Sequence, residues 1–173
     1  MSTQTPVDET PRQIPAVGDK APAVDLPDET GAVHHLSDQK GRWTILYFYP
    51  EDDTSGCTKE ACQFRDIHSD IVASDADVWG VSPDTEASHE RFKTKYGLPF
   101  TLLADPGMDA IARYGAWGVK DNYGKKYMGL IRSSFLIDPD GRIVKVWPKV
   151  IADGHAAKVM EALQEARASR ASA

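Results

Sequence analysis

The sequence predicts an α/β domain: a mixed central β-sheet with helices on both faces and an N-terminal β-hairpin. Three features point there. Trp43 to Tyr49 is rich in aromatic and β-branched residues and apolar on both faces, as a strand covered on both sides should be. Strand-like and helix-like stretches alternate on either side of that run. Asp138-Pro139-Asp140-Gly141 separates two further apolar runs, and its Pro presets φ while its Gly permits φ > 0, so it reads as a turn between paired strands.

The elements follow in order. Ala23–Leu26 and Ala32–Leu36 flank Pro27-Asp28-Glu29-Thr30-Gly31 and read as the hairpin. After the central strand, Ala61, Phe64, Ile67, His68 and Ile71 recur at helical spacing, so a helix is expected from Cys57 to about Ile71. Val78–Val81 is a second buried strand. Thr85 to Tyr96 is a helix that opens at Ser82-Pro83-Asp84 and stops before Gly97. Thr101–Ala104 is a short strand, and Met108–Tyr114 a short helix closed by Gly115. Lys120 to Lys126 reads as a solvated polar loop. Ser133–Ile137 and Arg142–Trp147 are the strands around the turn, and Ala156, Val159, Met160, Leu163 and Ala166 give a last helix its apolar face. The four tryptophans are expected in or near the core.

The 173 residues suit one domain. Residues 1–14 are polar, with Pro6 and Pro11, and are expected as a disordered or loosely laid tail ahead of a domain at 15–170. With 20 Lys+Arg against 26 Asp+Glu the net charge is −6, and no basic block suggests nucleic-acid binding. The longest apolar run, Ile45–Tyr49, falls far short of the ~18 residues of a membrane span. No basic stretch followed by an apolar one resembles a secretory signal, so a cytoplasmic location is expected. Two cysteines are too few for a secreted disulfide scaffold, and in the cytosol a close pair points to chemistry.

In sheets of this kind, sites lie beyond the carboxyl ends of central strands. There the sequence reads Pro50-Glu51-Asp52-Asp53-Thr54-Ser55-Gly56-Cys57, then Cys62. Cys57 falls in the first turn of the expected helix, where unpaired N–H groups carry positive partial charge and favour a thiolate, the nucleophilic form. Thr54 offers a hydroxyl to the sulfur or to a substrate oxygen, and Pro50 can shield the sulfur from bulk water. Arg132 opens an apolar strand, where a charge needs a partner or a site. Cys57, Cys62 and His68 lack zinc-ligand spacing, so no metal is expected. His34, His35, His89 and His155 show no triad or metal context.

Pro50, Thr54 and Cys57 match the Pro-x-x-x-Thr-x-x-Cys motif of peroxiredoxins. Cys62, five residues on, is similar to the bacterioferritin-comigratory-protein (PrxQ) subfamily, and the resemblance continues through Tyr127-Met128-Gly129, Arg132 to Gly141 and Gly154-His155-Ala156. It implies a thioredoxin-like fold and a peroxidase for hydrogen peroxide and alkyl hydroperoxides. By that resemblance Cys57 is the peroxidatic cysteine, Thr54 hydrogen-bonds thiolate and peroxide, Arg132 holds the thiolate and polarises the peroxide, and Pro50 shields the pocket. Cys62 would be the resolving cysteine, forming a Cys57–Cys62 disulfide that thioredoxin or a glutaredoxin-like protein reduces. A monomer without metal or organic cofactor is implied. Relatives often carry Pro at the position of Ser55. Glu51, Asp52 and Asp53 are a further departure, because their charge works against a nearby thiolate. Oxidoreductases acting on protein disulfides would want Cys-x-x-Cys at the helix start, which is absent.

Overall fold

The computed structural model describes residues 7–171. The first six residues of the expected tail lie outside that range. Within its remainder, Arg12 donates to the carbonyls of Gly115 and Pro148, each at 2.6 Å, and Glu9 pairs with Lys126 at 2.8 Å. This stretch therefore runs against the domain through partners more than a hundred residues away, which its own composition does not reveal.

Strands β1 (Asp25–Pro27) and β2 (Val33–His35) form the antiparallel hairpin. Strand β3 (Trp43–Phe48) is buried at every position. It leads through a loop into α1 (Ser55–Asp66) and α2 (His68–Ala73), then β4 (Ala76–Ser82), α3 (Glu86–Tyr96), β5 (Thr101–Ala104) and α4 (Asp109–Arg113). Next come β6 (Trp117–Asn122), β7 (Lys125–Leu130), β8 (Ser133–Ile137), β9 (Ile143–Trp147) and α5 (His155–Ala171). The central sheet has the order β5-β4-β3-β8-β9, with β3, β4 and β5 parallel and β8 and β9 antiparallel to their neighbours.

Alternation along β3 divides the core. Ile45, Tyr47 and Tyr49 face one side, with Cys57, Ala61 and Phe64 of α1, Phe92 of α3 and Val159 and Leu163 of α5. Leu46 and Phe48 face the other, with Ile111 of α4, Tyr114, Phe135 and the hairpin residue Leu26. Helices on both faces are thus what the sequence predicts. Among the described residues, no helix is long and apolar enough to cross a membrane.

Three local expectations need correction. The helix expected from Cys57 to Ile71 is two helices, because Ile67 leaves helical geometry at φ −111°, ψ 8°. The segment 120–126 is the tip of the β6–β7 hairpin, paired from Trp117↔Leu130 to Asn122↔Lys125. Its polar residues hide a strand pair whose turn, Tyr123-Gly124, has φ 53° and 84°; two positive values match the twist of a two-residue hairpin. Trp117 lies on this hairpin and is 40% exposed, so it leaves the core, whereas Trp43 and Trp79 are buried and half-buried Trp147 packs against the core as expected.

The crowded point of the core is Tyr47. Its ring stacks on Phe64 and Tyr49 at 5.0 and 5.5 Å between centroids. A Cβ at Gly80, on the adjacent strand, would stand 2.8 Å from the ring. Replacing Gly80 with Ala should therefore cost about 1–3 kcal/mol in urea unfolding, the usual penalty for overpacking.

Candidate active site

The loop from β3 to α1 is built by hydrogen bonds its own residues make. The Thr54 hydroxyl donates to the Glu51 carbonyl at 3.0 Å, and the Thr58 N–H donates to the Thr54 carbonyl at 2.8 Å, which starts α1. Thr54 is the N-cap residue, but its side chain caps no N–H. The first-turn N–H groups therefore keep their capacity to donate to an incoming oxygen. Cys57 lies in that turn and is 1% exposed.

Arg132 reaches Cys57 from the far side of the chain. Strand β8 runs antiparallel to β3 with Ser133 opposite Phe48, so the residue before Ser133 falls beside the carboxyl end of β3. The Arg132 Nη2 donates to Cys57 Sγ at 3.1 Å, and Nη1 donates to Glu60 Oε1 at 2.7 Å. Gly56 permits the approach: a Cβ there would sit 3.2 Å from Nη2. The structure thus brings Cys57, Arg132 and the Thr54 loop together, with Pro50 half-buried at the head of that loop. The Thr54 hydroxyl proton is directed to Glu51 rather than to the sulfur, which leaves its lone pairs free to accept.

Cys62 stands apart. Both cysteines are free thiols within a continuous α1; Cys57 is buried and Cys62 half-buried on another face. Residues five apart in a helix have Cα atoms about 8.6 Å apart by helix geometry. A disulfide needs them within roughly 7 Å.

Glu60 and Lys120 also act on the cysteine–arginine pair without having been singled out in the sequence. Glu60 is fully buried, and among the described residues its Oε2 has no hydrogen-bond partner. Burial outweighs the Arg132 ion pair and raises its pKa to about 7. Its signal in the sequence is position: three residues after Cys57, it puts a carboxyl on the buried face of α1. Lys120, on the hairpin read as a loop, is half-buried; burial and Arg132 lower its pKa, against the attraction of Cys57. Behind α1, buried His155 meets Ser134 Oγ at 2.8 Å and packs edge-on against Phe64 and Trp147. Burial, then Lys158 and Arg132, lower its pKa to about 4, so it is neutral.

A cavity of about 440 Å³ lies at the opposite end of the sheet, lined by Val24, Leu36, Thr44, Ile137 and Gly141 among others. It includes none of the predicted site residues.

A cysteine at a helix start, held by an arginine at the carboxyl end of a central strand, defines a thiol-based redox enzyme. The AhpC/TSA family model matches residues 17–146, and the chain belongs to that family, among its peroxiredoxins of the Bcp (PrxQ) type. The putative peroxiredoxin bcp of Coxiella burnetii is 51% identical over 144 residues, covering 83% of this chain and 95% of that protein. Peroxiredoxin Bcp of Bacillus subtilis is 46% identical over 149 residues, covering 86% and 95%. A solved structure of Xanthomonas campestris Peroxiredoxin Q has a TM-score of 0.79 at 35% identity, over 83% of this chain and 91% of that one. Another, of the bacterioferritin comigratory protein from the same organism, has a TM-score of 0.79 at 34% identity over 83% and 92%, and is described in terms of alkyl peroxide reduction activity. The fold is the thioredoxin-like fold of these structures, and the protein is an enzyme of the peroxidase class.

Glu60 makes stability depend on pH in a direction opposite to that of an ordinary paired carboxylate. With its pKa raised from 4.5 to about 7, the folded state binds more protons than the unfolded state between those values. Stability therefore falls as pH rises through that window. Urea unfolding from pH 4 to 8 should show a loss of up to about 3 kcal/mol that Glu60→Gln removes. Parallel curves for the two proteins would show that Glu60 does not titrate there.

Proposed function

We propose that the chain reduces hydrogen peroxide and alkyl hydroperoxides through Cys57, and that Cys62 completes the cycle. The observation that carries this reading is the 3.1 Å hydrogen bond from Arg132 to the Cys57 sulfur at a helix start. The Cys57 thiolate attacks the terminal peroxide oxygen, the O–O bond breaks, and the departing oxygen leaves as water or an alcohol once protonated. Cys57 becomes a sulfenic acid. Arg132 and the first-turn N–H groups stabilise the charge that moves onto oxygen. The Thr54 hydroxyl accepts a hydrogen bond from the peroxide O–H, because its own proton is engaged by Glu51. Pro50 limits access of bulk water.

The Cys62 thiol then condenses with the sulfenic acid, releasing water and forming the Cys57–Cys62 disulfide. Thioredoxin or a glutaredoxin-like dithiol protein reduces it by exchange, with the enzyme acting as a monomer in the cytoplasm. Buried Cys57 and half-buried Cys62 on a continuous helix support an order of events in which the peroxide step uses wound α1 and the disulfide step requires about one turn to unwind.

A peroxide-consumption assay with a thioredoxin system tests the reading. Cys57→Ser should abolish turnover. Cys62→Ser should allow one equivalent of peroxide to react and then stop. Arg132→Met should slow the second-order reaction with peroxide at least about tenfold, or 1.4 kcal/mol. Wild-type turnover by Cys62→Ser would remove Cys62 from the cycle.

Amide hydrogen exchange supplies the test of unwinding. Exchange at residues 54–65 should be faster in the disulfide form than in the dithiol form. Equal protection would rule out the melted turn.

A further inference from the structure

We propose that His89 is a positioning residue for the peroxide step, carried as a buried imidazolium that fixes the Asp52–Thr54 loop ahead of Cys57. The inference rests on the peroxidase reading and concerns a residue outside the cysteine–arginine pair.

The geometry determines the protonation. His89 lies on α3 and is 0% exposed. Its Nε2 is 2.9 Å from the Leu103 carbonyl, an acceptor only, so Nε2 carries a proton. Its Nδ1 is 2.7 Å from Asp52 Oδ2. That carboxylate already accepts from Tyr49 Oη at 2.6 Å and Ser88 Oγ at 2.8 Å, so Nδ1 donates as well. With both nitrogens donating, the ring is an imidazolium. Asp52, Asp84 and His89 are close enough together to suggest a metal cage, but neither His89 nitrogen has a lone pair to offer.

The network reaches the catalytic loop at consecutive residues. The Asp52 N–H donates to Asp84 Oδ2 at 2.8 Å, and Ser82 Oγ donates to the same oxygen at 2.7 Å. Asp53, held at φ +59°, pairs with Lys95 at 2.7 Å and accepts from the Tyr96 hydroxyl, both groups belonging to α3. Helix α3 thus offsets two of the three acidic residues whose charge would work against a thiolate. It also holds the backbone that leads directly into Thr54 and α1.

The charged and titratable groups facing His89 are Asp52 from the loop, Asp84 from the loop after β4, and Tyr49 from the end of β3. Burial opposes the imidazolium, but the Asp52 hydrogen bond and charge, the Leu103 carbonyl and Asp84 outweigh it and raise the pKa. A His with a raised folded pKa gives stability that is present in full below its unfolded value and lost as pH rises through the folded one. On proton loss, one ring lone pair must face either Asp52 or the Leu103 carbonyl, and the loop is released.

The test uses the full chain with Cys62→Ser, so that only the peroxide step is read. Ring-nitrogen NMR of His89 and the second-order rate constant with hydrogen peroxide are followed from pH 6 to 10. Both ring nitrogens should be protonated at pH 7, and the rate constant should fall at least threefold on the alkaline side at the pH where Nδ1 loses its proton. His89→Gln should slow the reaction at least tenfold at pH 7. Asp52→Asn removes the charge that holds the ring protonated, so its rate constant should lack the alkaline fall at that pH. A neutral His89 at pH 7, or a rate constant flat through its titration, overturns the proposal, even if the variants do not fold. If the unaltered chain consumes no peroxide, the peroxidase reading fails instead. The placement of the loop is then judged by amide exchange at residues 53–57, which should quicken as His89 loses its proton; unchanged exchange also overturns the proposal.

Discussion

The Arg132 guanidinium bridges the Cys57 sulfur and the buried Glu60 carboxyl, and this three-membered arrangement requires the rest of the fold. Cys57 and Glu60 come from one turn of α1, but Arg132 stands 75 residues from Cys57. It arrives only because β8 pairs antiparallel with β3 in a register that sets Ser133 opposite Phe48. A one-residue slip of that register would turn each β8 side chain to the opposite face of the sheet. The apolar alternation that divides the core into two halves is therefore also what positions the guanidinium.

Charge at this end of the sheet is arranged in layers. Three consecutive acidic residues, Glu51, Asp52 and Asp53, precede the cysteine. Asp52 is met by His89 and Asp53 by Lys95, both from α3, so the negative charge closest to the helix start is offset by a neighbouring helix. The same bonds hold the loop that leads into α1, where Cys57 lies in the first turn. Glu60 is the exception: with one oxygen orphaned and a pKa near 7, it is a buried carboxyl whose charge is only marginally retained at neutral pH.

Helix α1 meets two demands that one geometry does not serve. Wound, it places Cys57 in the core beside Ala61 and Phe64 and within reach of Arg132. Wound, it also keeps Cys62 beyond disulfide distance. The contacts that end at Asp53 secure the chain before the helix, while Gln63, bonded to Asp153 and Gly154, secures its far part against the segment before α5. The stretch between these two anchors contains both Cys57 and Cys62, and the turn that the proposed disulfide step would unwind lies within it.

Signals carried by local chain physics were legible in the sequence. The apolar run of β3, the helical spacing of Ala61 and Phe64, and the Pro-Asp-Gly turn each depend on residues within one element. So does Cys57 at a helix start, five residues before Cys62. Tertiary structure alone decided what depends on partners distant in the chain. The β6–β7 hairpin pairs polar residues whose alternation carries no apolar signal, and Arg12 finds its carbonyl acceptors across the domain. Lone His89 on α3 had no context until folding set Asp52 and the Leu103 carbonyl on its two nitrogens. The reason is that periodicity and turn chemistry are properties of adjacent residues, whereas the ionisation and orientation of a buried polar side chain are set by whichever groups the sheet register brings to it.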